Sequence, residues 1–298
     1  MSTLPPYVTT DGLRDIIERA LAEDVGEGDV TTAATVRPGT LGEARFVAKE
    51  DGILAGRSVA ELVMKRIDAG LAFSWSRGDG ETIYKGTSFG VVRGEAASIL
   101  TAERLTLNLM QRMSGIATET RRYADAVRRH GARILDTRKT VPGLRMLDKW
   151  AVVLGGGENH RIGLFDMILI KDNHIEAAGG IANAVAAARR FAESRDLKIE
   201  VETRNLDEVE AVLAEDGVDM ILLDNMVDVG GDGRIDVSRL RAAVELVAGA
   251  LVTEASGNVT LETVEAIART GVNLISSGAL THSVRALDIS LQMKLIDR

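Results

Sequence analysis

KIEVETRNLDEVEAVLAEDGVDMILLDN, residues 198–225, opens and closes on short apolar runs with a helical segment between them. Lys198–Val201 and Met220–Leu223 read as buried strands, and Leu206–Glu215 as the amphipathic helix that joins them. The same rhythm continues in both directions. Upstream come strands at Arg133–Asp136 and Met167–Ile170 with a helix at Ile181–Ser194. Downstream come strands at Ala250–Thr253 and Val272–Ile275, with helices at Val237–Leu246 and Leu261–Arg269. Strand–helix alternation of this kind implies a parallel sheet, wound open or closed as a barrel.

Before residue 131 the grammar differs. Segments 43–49 and 89–93 are strand-like, separated by Gly-rich turns such as GDGETIYKG at 78–86, and Gly56–Asp68 reads as an amphipathic helix. A first helix begins at Thr10 or Asp11 and carries Leu13, Ile16, Ile17 and Leu21. EDVGEGDVTT, residues 23–32, has too many Gly and Asp residues for a helix and reads as a loop. The first 114 residues therefore predict a mixed α+β domain. A long helical pattern runs from Ala97 to His130, and Ser114-Gly115 inside it marks an expected bend and domain boundary.

The chain has 298 residues, 45% of them hydrophobic but only 3% aromatic, so its core must be built from aliphatic side chains. It has no cysteine, which excludes a disulfide framework and thiolate metal sites. A net charge of −8 opposes nucleic-acid or anionic-membrane partners. No apolar run is long enough to span a bilayer. The opening MSTLPPYVTTDGLRD lacks a basic stretch followed by an apolar one, so no signal peptide is expected and the location is read as cytoplasmic.

Polar residues collect where the strands end. Thr137-Arg138-Lys139 follow the first, Lys171-Asp172-Asn173-His174 the second, and the others run into Glu202, Asp224-Asn225, Glu254 and Ser276-Ser277. In parallel α/β folds those ends form the rim where ligands bind. The charges also sort along the chain. Arg138, Lys139, His160, Arg161 and Lys171 come first, and Glu200, Glu202 and Asp224 come later. Glu200 and Glu202 are two apart, so a strand points them to the same side. One account is an internal ion-pair network, since buried carboxylates need cations. The other is that the cations grip a ligand with two or more negative charges while the acids hold a sugar or divalent metal. Ser256-Gly257-Asn258 and Ser277-Gly278 place small residues before predicted helices, which suits either phosphate binding or ordinary capping. Their position after the last two strands favours phosphate. Walker A, G-x-G-x-x-G, H-E-x-x-H and G-x-S-x-G patterns are absent, and the four histidines are too dispersed for a zinc site.

Four blocks together resemble the quinolinate phosphoribosyltransferase family. They are SGIAT (114–118), DTRKTVPGLRMLDKWAVVLGGGENHRIGLFDMILIKDNHI (136–175), LLDNM (222–226) and EASGNVT (254–260). EDVGEGDVTT and TAERLTLNLMQRMSGIAT (101–118) fit as well, so the likeness covers nearly the whole chain. The resemblance implies an open, incomplete TIM-like α/β barrel at 115–278. It also implies an N-terminal α/β sandwich at 1–114, on which a C-terminal helix at 279–298 packs. It implies homodimers, or larger assemblies built from them. The implied reaction takes quinolinate and phosphoribosyl pyrophosphate, with Mg²⁺, to nicotinate mononucleotide, CO₂ and pyrophosphate in de novo NAD synthesis. By motif, Thr137, Arg138, Lys139, His160, Arg161 and Lys171 hold quinolinate, and Arg104 reaches it from a partner subunit. Glu202 and Asp224 face the ribose and its metal, directly or through water, with Lys139 beside them in the chemistry. Ser256, Gly257, Asn258, Ser277 and Gly278 take the 5′-phosphate.

Departures from the family pattern are Trp150 in place of Tyr, the Gly- and Asp-rich MVDVGGDGRIDVS at 226–238, and a slightly long run between Glu202 and Asp224. Other readings are a same-fold phosphoribosyltransferase, either of the molybdenum-associated type or acting on nicotinate. A Schiff-base barrel enzyme using Lys139 or Lys171, and a non-catalytic anion-binding protein, are further ones. The last leaves Glu202 and Asp224 unexplained.

Overall fold

A computed structural model describes residues 4–296, so the ends of the expected N-terminal domain and C-terminal helix (1–3 and 297–298) lie outside the described residues. In chain order the elements begin α1 (Thr10–Asp24), α2 (Val30–Thr35), β1 (Leu41–Ala48), β2 (Gly52–Ile53), α3 (Arg57–Ile67) and β3 (Ala72–Trp75). Next are β4 (Thr82–Ile83), β5 (Ser88–Glu95), α4 (Ala96–Val127), β6 (Arg133–Leu135), α5 (Arg145–Gly155) and β7 (Ile168–Ile170). Then follow α6 (Asp172–Ala178), α7 (Ile181–Ala192), β8 (Ile199–Thr203), α8 (Leu206–Leu213) and β9 (Met220–Asp224). The chain ends with β10 (Asp228–Val229), β11 (Ile235–Asp236), α9 (Ser238–Val247), β12 (Val252–Ser256), α10 (Val264–Ala268), β13 (Leu274–Ser276), α11 (Ala279–His282) and β14 (Ile289–Ile296).

It divides into two compact units. One takes the chain up to Arg121, residues 140–156, and everything from Ser283; the other takes 122–139 and 157–282. The first unit holds an antiparallel sheet in the order β14-β1-β5-β3. The scarce aromatics gather on it: Phe46 stacks on Trp75 with ring centroids 4.9 Å apart and tilts against Phe89 at 6.0 Å.

Three expectations are corrected here. The C-terminal helix is a strand: among the described residues after 278 only Ala279–His282 is helical, and β14 pairs along β1 from Ile289↔Ala48 to Ile296↔Leu41. Its sequence ISLQMKLI explains this, because apolar residues recur every second position and put Ile289 and Leu291 into the sheet's core. The loop expected through Thr32 gives way to α2 at Val30, whose N–H groups are capped by Asp29; its carboxylate accepts from Thr32 N at 2.9 Å.

The third correction concerns α4, which runs unbroken through Ser114-Gly115 for 32 residues. The small pair serves close approach. A Cβ on Gly115 would lie 2.3 Å from the Arg285 carbonyl oxygen. Buried Ser114 accepts from Ala55 N at 3.0 Å and donates to Ala55 O at 3.1 Å. Gly115→Ala is therefore expected to destabilise the protein despite a helix-propensity gain of about 1 kcal/mol. So close an approach to backbone falls at the upper end of the range of about 1–3 kcal/mol that overpacking costs, which outweighs the gain and lowers Tm by a few degrees. An unchanged or raised Tm in a thermal melt would remove this account of Gly115.

The second unit carries six parallel strands in the order β6-β13-β12-β9-β8-β7. β6 and β7 are its two edges, so the sheet curls into a barrel that does not close. All six strands point their C-terminal ends the same way, which is how residues far apart in sequence reach one rim. The helices after β12 and β13 are short, at five and four residues, rather than the full helices expected. The family departure at 226–238 folds as a small hairpin, β10 paired with β11. Among the described residues, no helix is long and apolar enough to cross a membrane.

Candidate active site

A cavity of about 430 Å³ opens at those strand ends, and each strand supplies part of it. Thr137, Arg138 and Lys139 come from the turn after β6, and Lys171 from the end of β7. Glu202 comes from β8, Asp224 and Asn225 from the end of β9, and Ser256 and Gly257 from the end of β12. His160 and Arg161 complete the candidates that line it. Asn258, Ser277 and Gly278 lie beside the lining rather than in it, and exposed Arg104 is carried on α4 in the first unit. A larger groove of about 610 Å³ beside Phe165 and Phe191 is mainly apolar. The smaller cavity is the one where opposite charges converge.

One wall is cationic. Burial lowers the pKa of Arg161, and the charge of Arg138 lowers it further. Two guanidiniums that disfavour each other in a half-buried pocket form a natural seat for anionic oxygens. Arg161 spends only part of its fork on the protein, donating Nη1–H to the Met167 carbonyl at 3.2 Å.

His160 is tied into the protein through its backbone and both ring nitrogens. Its backbone N–H donates to buried Asp136 at 3.0 Å, and its Nδ1 accepts the N–H of Arg161 at 2.8 Å. With Nδ1 accepting, the proton of the neutral ring sits on Nε2, which faces Glu200 Oε2 at 3.0 Å. Both ring nitrogens are thus used inside the protein. The ring fixes the backbone at Arg161 and lies against the buried acid at 200.

Glu254 joins this group, with its Oε2 3.5 Å from His160 Nε2. Glu200 and Glu254 are 0% and 1% exposed, and Glu200 Oε1 and Glu254 Oε2 have no hydrogen-bond partner. Their pKa values are both pushed up, in each case first by burial, and Glu254's also by the charge of Glu200. Burial thus favours the protonated form of both acids, and the charge of Glu200 adds to this at Glu254. The three side chains lie close enough to chelate a metal. A ring that already uses Nε2–H as a donor offers no lone pair for one, so the cluster fits a hydrogen-bonded acid pair better.

The opposite wall is acidic. Lys171 Nζ pairs with Glu202 Oε2, joining the two charge groups at one point. Burial raises the pKa of Asp224, and the charge of Glu202 raises it further. Two hard-oxygen carboxylates that repel each other in one cavity suit a divalent cation of the Mg²⁺ class, whose shell phosphates complete.

At the β12 end, Gly257 and Asn258 are consecutive left-handed residues, with φ of +88° and +53°. A glycine in such a turn leaves the backbone open to close approach by a ligand. The Asn258 side chain is committed to the Val227 carbonyl at 2.9 Å, so its backbone is what it offers a ligand. Ser277 is also turned inward, N–H to Leu135 O at 3.1 Å and Oγ to Val259 O at 3.3 Å. Gly278 makes room for Lys139, whose Cδ would lie 2.7 Å from a Cβ at 278. With α10 and α11 so short, the phosphate argument rests on this loop and not on helix dipoles.

The sequence places Asn225, Glu254 and Ser276 at the rim without assigning them a role, and all three line the cavity. Glu254 was the most legible of them, being an acid inside the apolar strand VTEAS.

Residues 29–114 match the family description "Quinolinate phosphoribosyl transferase, N-terminal domain", and residues 116–292 its C-terminal domain. A chloroplastic nicotinate-nucleotide pyrophosphorylase [carboxylating] from Oryza sativa subsp. japonica is 55% identical over 97% of this chain and 80% of that protein. The crystal structure of NadC from Streptococcus pyogenes superposes with a TM-score of 0.89 at 36% identity, covering 97% of this chain and 100% of that one. The nicotinate-nucleotide pyrophosphorylase from Francisella tularensis gives 0.88 at 38% identity, covering 96% and 98%. With both domains matched and the charged cavity at the expected strand ends, the chain belongs to the quinolinate phosphoribosyltransferase family.

Proposed function

We propose that this protein converts quinolinate and phosphoribosyl pyrophosphate to nicotinate mononucleotide, CO₂ and pyrophosphate in NAD biosynthesis. The observation that carries this reading is one cavity with Arg138, Lys139 and Arg161 on one side and Glu202 and Asp224 on the other. Quinolinate is a planar dianion, and guanidinium forks match its carboxylates bidentately.

Thr137, Arg138, Lys139 and Arg161 orient the ring so that its nitrogen faces C1 of the ribose, a proximity effect worth several kcal/mol of barrier. The C1–O bond breaks with its electrons leaving on pyrophosphate, and the ring nitrogen forms the new bond to C1. Glu202 and Asp224 stabilise the positive character that C1 gains on the way. These two acids would hold Mg²⁺, directly or through water, and the ion would supply charge neutralisation for the departing pyrophosphate. The C2 carboxylate then leaves as CO₂, and the electron pair left on C2 is stabilised by the adjacent pyridinium until solvent protonates it. The 5′-phosphate lies against Ser256, Gly257 and the backbone of Asn258, with Ser277 and Gly278 supporting from behind. No protein nucleophile is needed.

The family resemblance supports a homodimer, or an assembly built from one, in which Arg104 of one subunit serves the cavity of the other. The acidic balance and the lack of cysteine support a cytoplasmic location, although the rice relative is named as chloroplastic. The test is direct. Protein, Mg²⁺, quinolinate and phosphoribosyl pyrophosphate should release CO₂ and nicotinate mononucleotide in equal amounts, while nicotinate should be turned over poorly. A site built for two carboxylates leaves a cation unpaired when one is missing. Equal turnover of nicotinate would sink the assignment in favour of a non-decarboxylating relative.

A further inference from the structure

Asn225, the first residue past β9, stands in the left-handed region with φ +54°, where Asn is tolerated better than other residues with a Cβ. Contacts on several sides hold it there. Its N–H donates to the Ser256 carbonyl at 2.9 Å, and its own carbonyl accepts from Arg239 Nη2 at 3.2 Å. Its side-chain Nδ2 donates to Asp224 Oδ2 at 2.7 Å. The rest of the amide lies over Gly257: a Cβ there would sit 2.1 Å from Asn225 Oδ1 and 3.0 Å from its Cα. Glycine at 257 is thus demanded twice, by its φ of +88° and by the neighbour above it.

We propose that Asn225 is a positioning residue that holds the Asp224 carboxylate and the Ser256–Asn258 loop at a fixed separation, so that the two ends of the ribose-phosphate substrate are gripped as one unit. The proposal rests on the reaction given above and names the coupling inside its donor half. A carboxylate turns freely about its terminal torsion. The Asn225 amide occupies Oδ2 and so selects one orientation of Asp224, leaving Oδ1 for the ribose. The same side chain sets the height of the Gly257 backbone, which presents the loop to the phosphate. The quinolinate wall takes no part in these contacts.

Steady-state kinetics on Asn225→Gly test this. Glycine accepts the backbone conformation without strain, so only the side chain is lost. The expected result is about a 10-fold rise in KM for phosphoribosyl pyrophosphate and about a 10-fold fall in kcat, the loss of one hydrogen bond to a charged group. KM for quinolinate and Tm should stay near wild type. Asn225→Asp keeps the shape but loses the donor, and should lower kcat at least as much. Gly257→Ala alone should raise the same KM through its clash with Asn225. Combined with Asn225→Gly, it should cost less than the two single changes together. Equal rises in both KM values, or strict additivity, would overturn the proposal while leaving the reaction standing. Wild-type protein that makes no nicotinate mononucleotide would overturn both.

Discussion

Arg161→Ala should raise KM for quinolinate by about 100-fold, because a bidentate pair between charged groups contributes about 3 kcal/mol. The free protein should lose little stability. Arg161 is held in place at a cost, with burial and Arg138 both opposing its charge, so removing it relieves repulsion as it removes a contact to Met167. KM for phosphoribosyl pyrophosphate should hold, since the ribose end is served by the opposite wall. Arg161→Lys should not rescue binding, as a point charge cannot reproduce two parallel N–H bonds. The preference for quinolinate over nicotinate should narrow as well, because the lost cation is one that a monocarboxylate would leave unpaired. Quinolinate kinetics close to wild type in Arg161→Ala would take the residue out of the site.

What could be read in the sequence follows from how local each signal is. Strands such as Met220–Leu223 announce themselves through an unbroken apolar run, and the acids and cations at their ends follow from where a parallel sheet must surface. β14 was missed although its alternation is visible in ISLQMKLI, because the family pattern suggested a helix there. Ser114-Gly115 looked like a weak point, since the carbonyl that demands glycine belongs to Arg285, remote in sequence. The partners of His160 were hidden for a similar reason. They are Arg161 N–H on one nitrogen and Glu200 on the other, and no spacing rule predicts that pair. The role of Asn225 was hidden most completely. A residue after a strand end is usually a turn residue, and only the approach of Gly257 from β12 shows what its amide does.

Glu202→Gln should lower kcat by about 100- to 1,000-fold, the range seen when one preorganised electrostatic partner of a transition state is removed. The amide keeps the shape and takes away the charge, so the loss reports on charge alone. KM for quinolinate should stay level or fall. Lys171, now spent on Glu202, is released toward the incoming dianion and adds to the cationic wall. A third consequence concerns Asp224, whose pKa is raised by burial and then by Glu202 and lowered by Lys171. Removing the Glu202 charge cancels the second upward influence and strengthens the downward one. Asp224 therefore loses its proton at lower pH in the variant, and the acid limb of the kcat profile should move down with it. A role confined to packing changes neither the limb nor the split between kcat and KM. Turnover within about twofold of wild type would show that the carboxylate at 202 carries none of the transition-state charge stabilisation assigned to it.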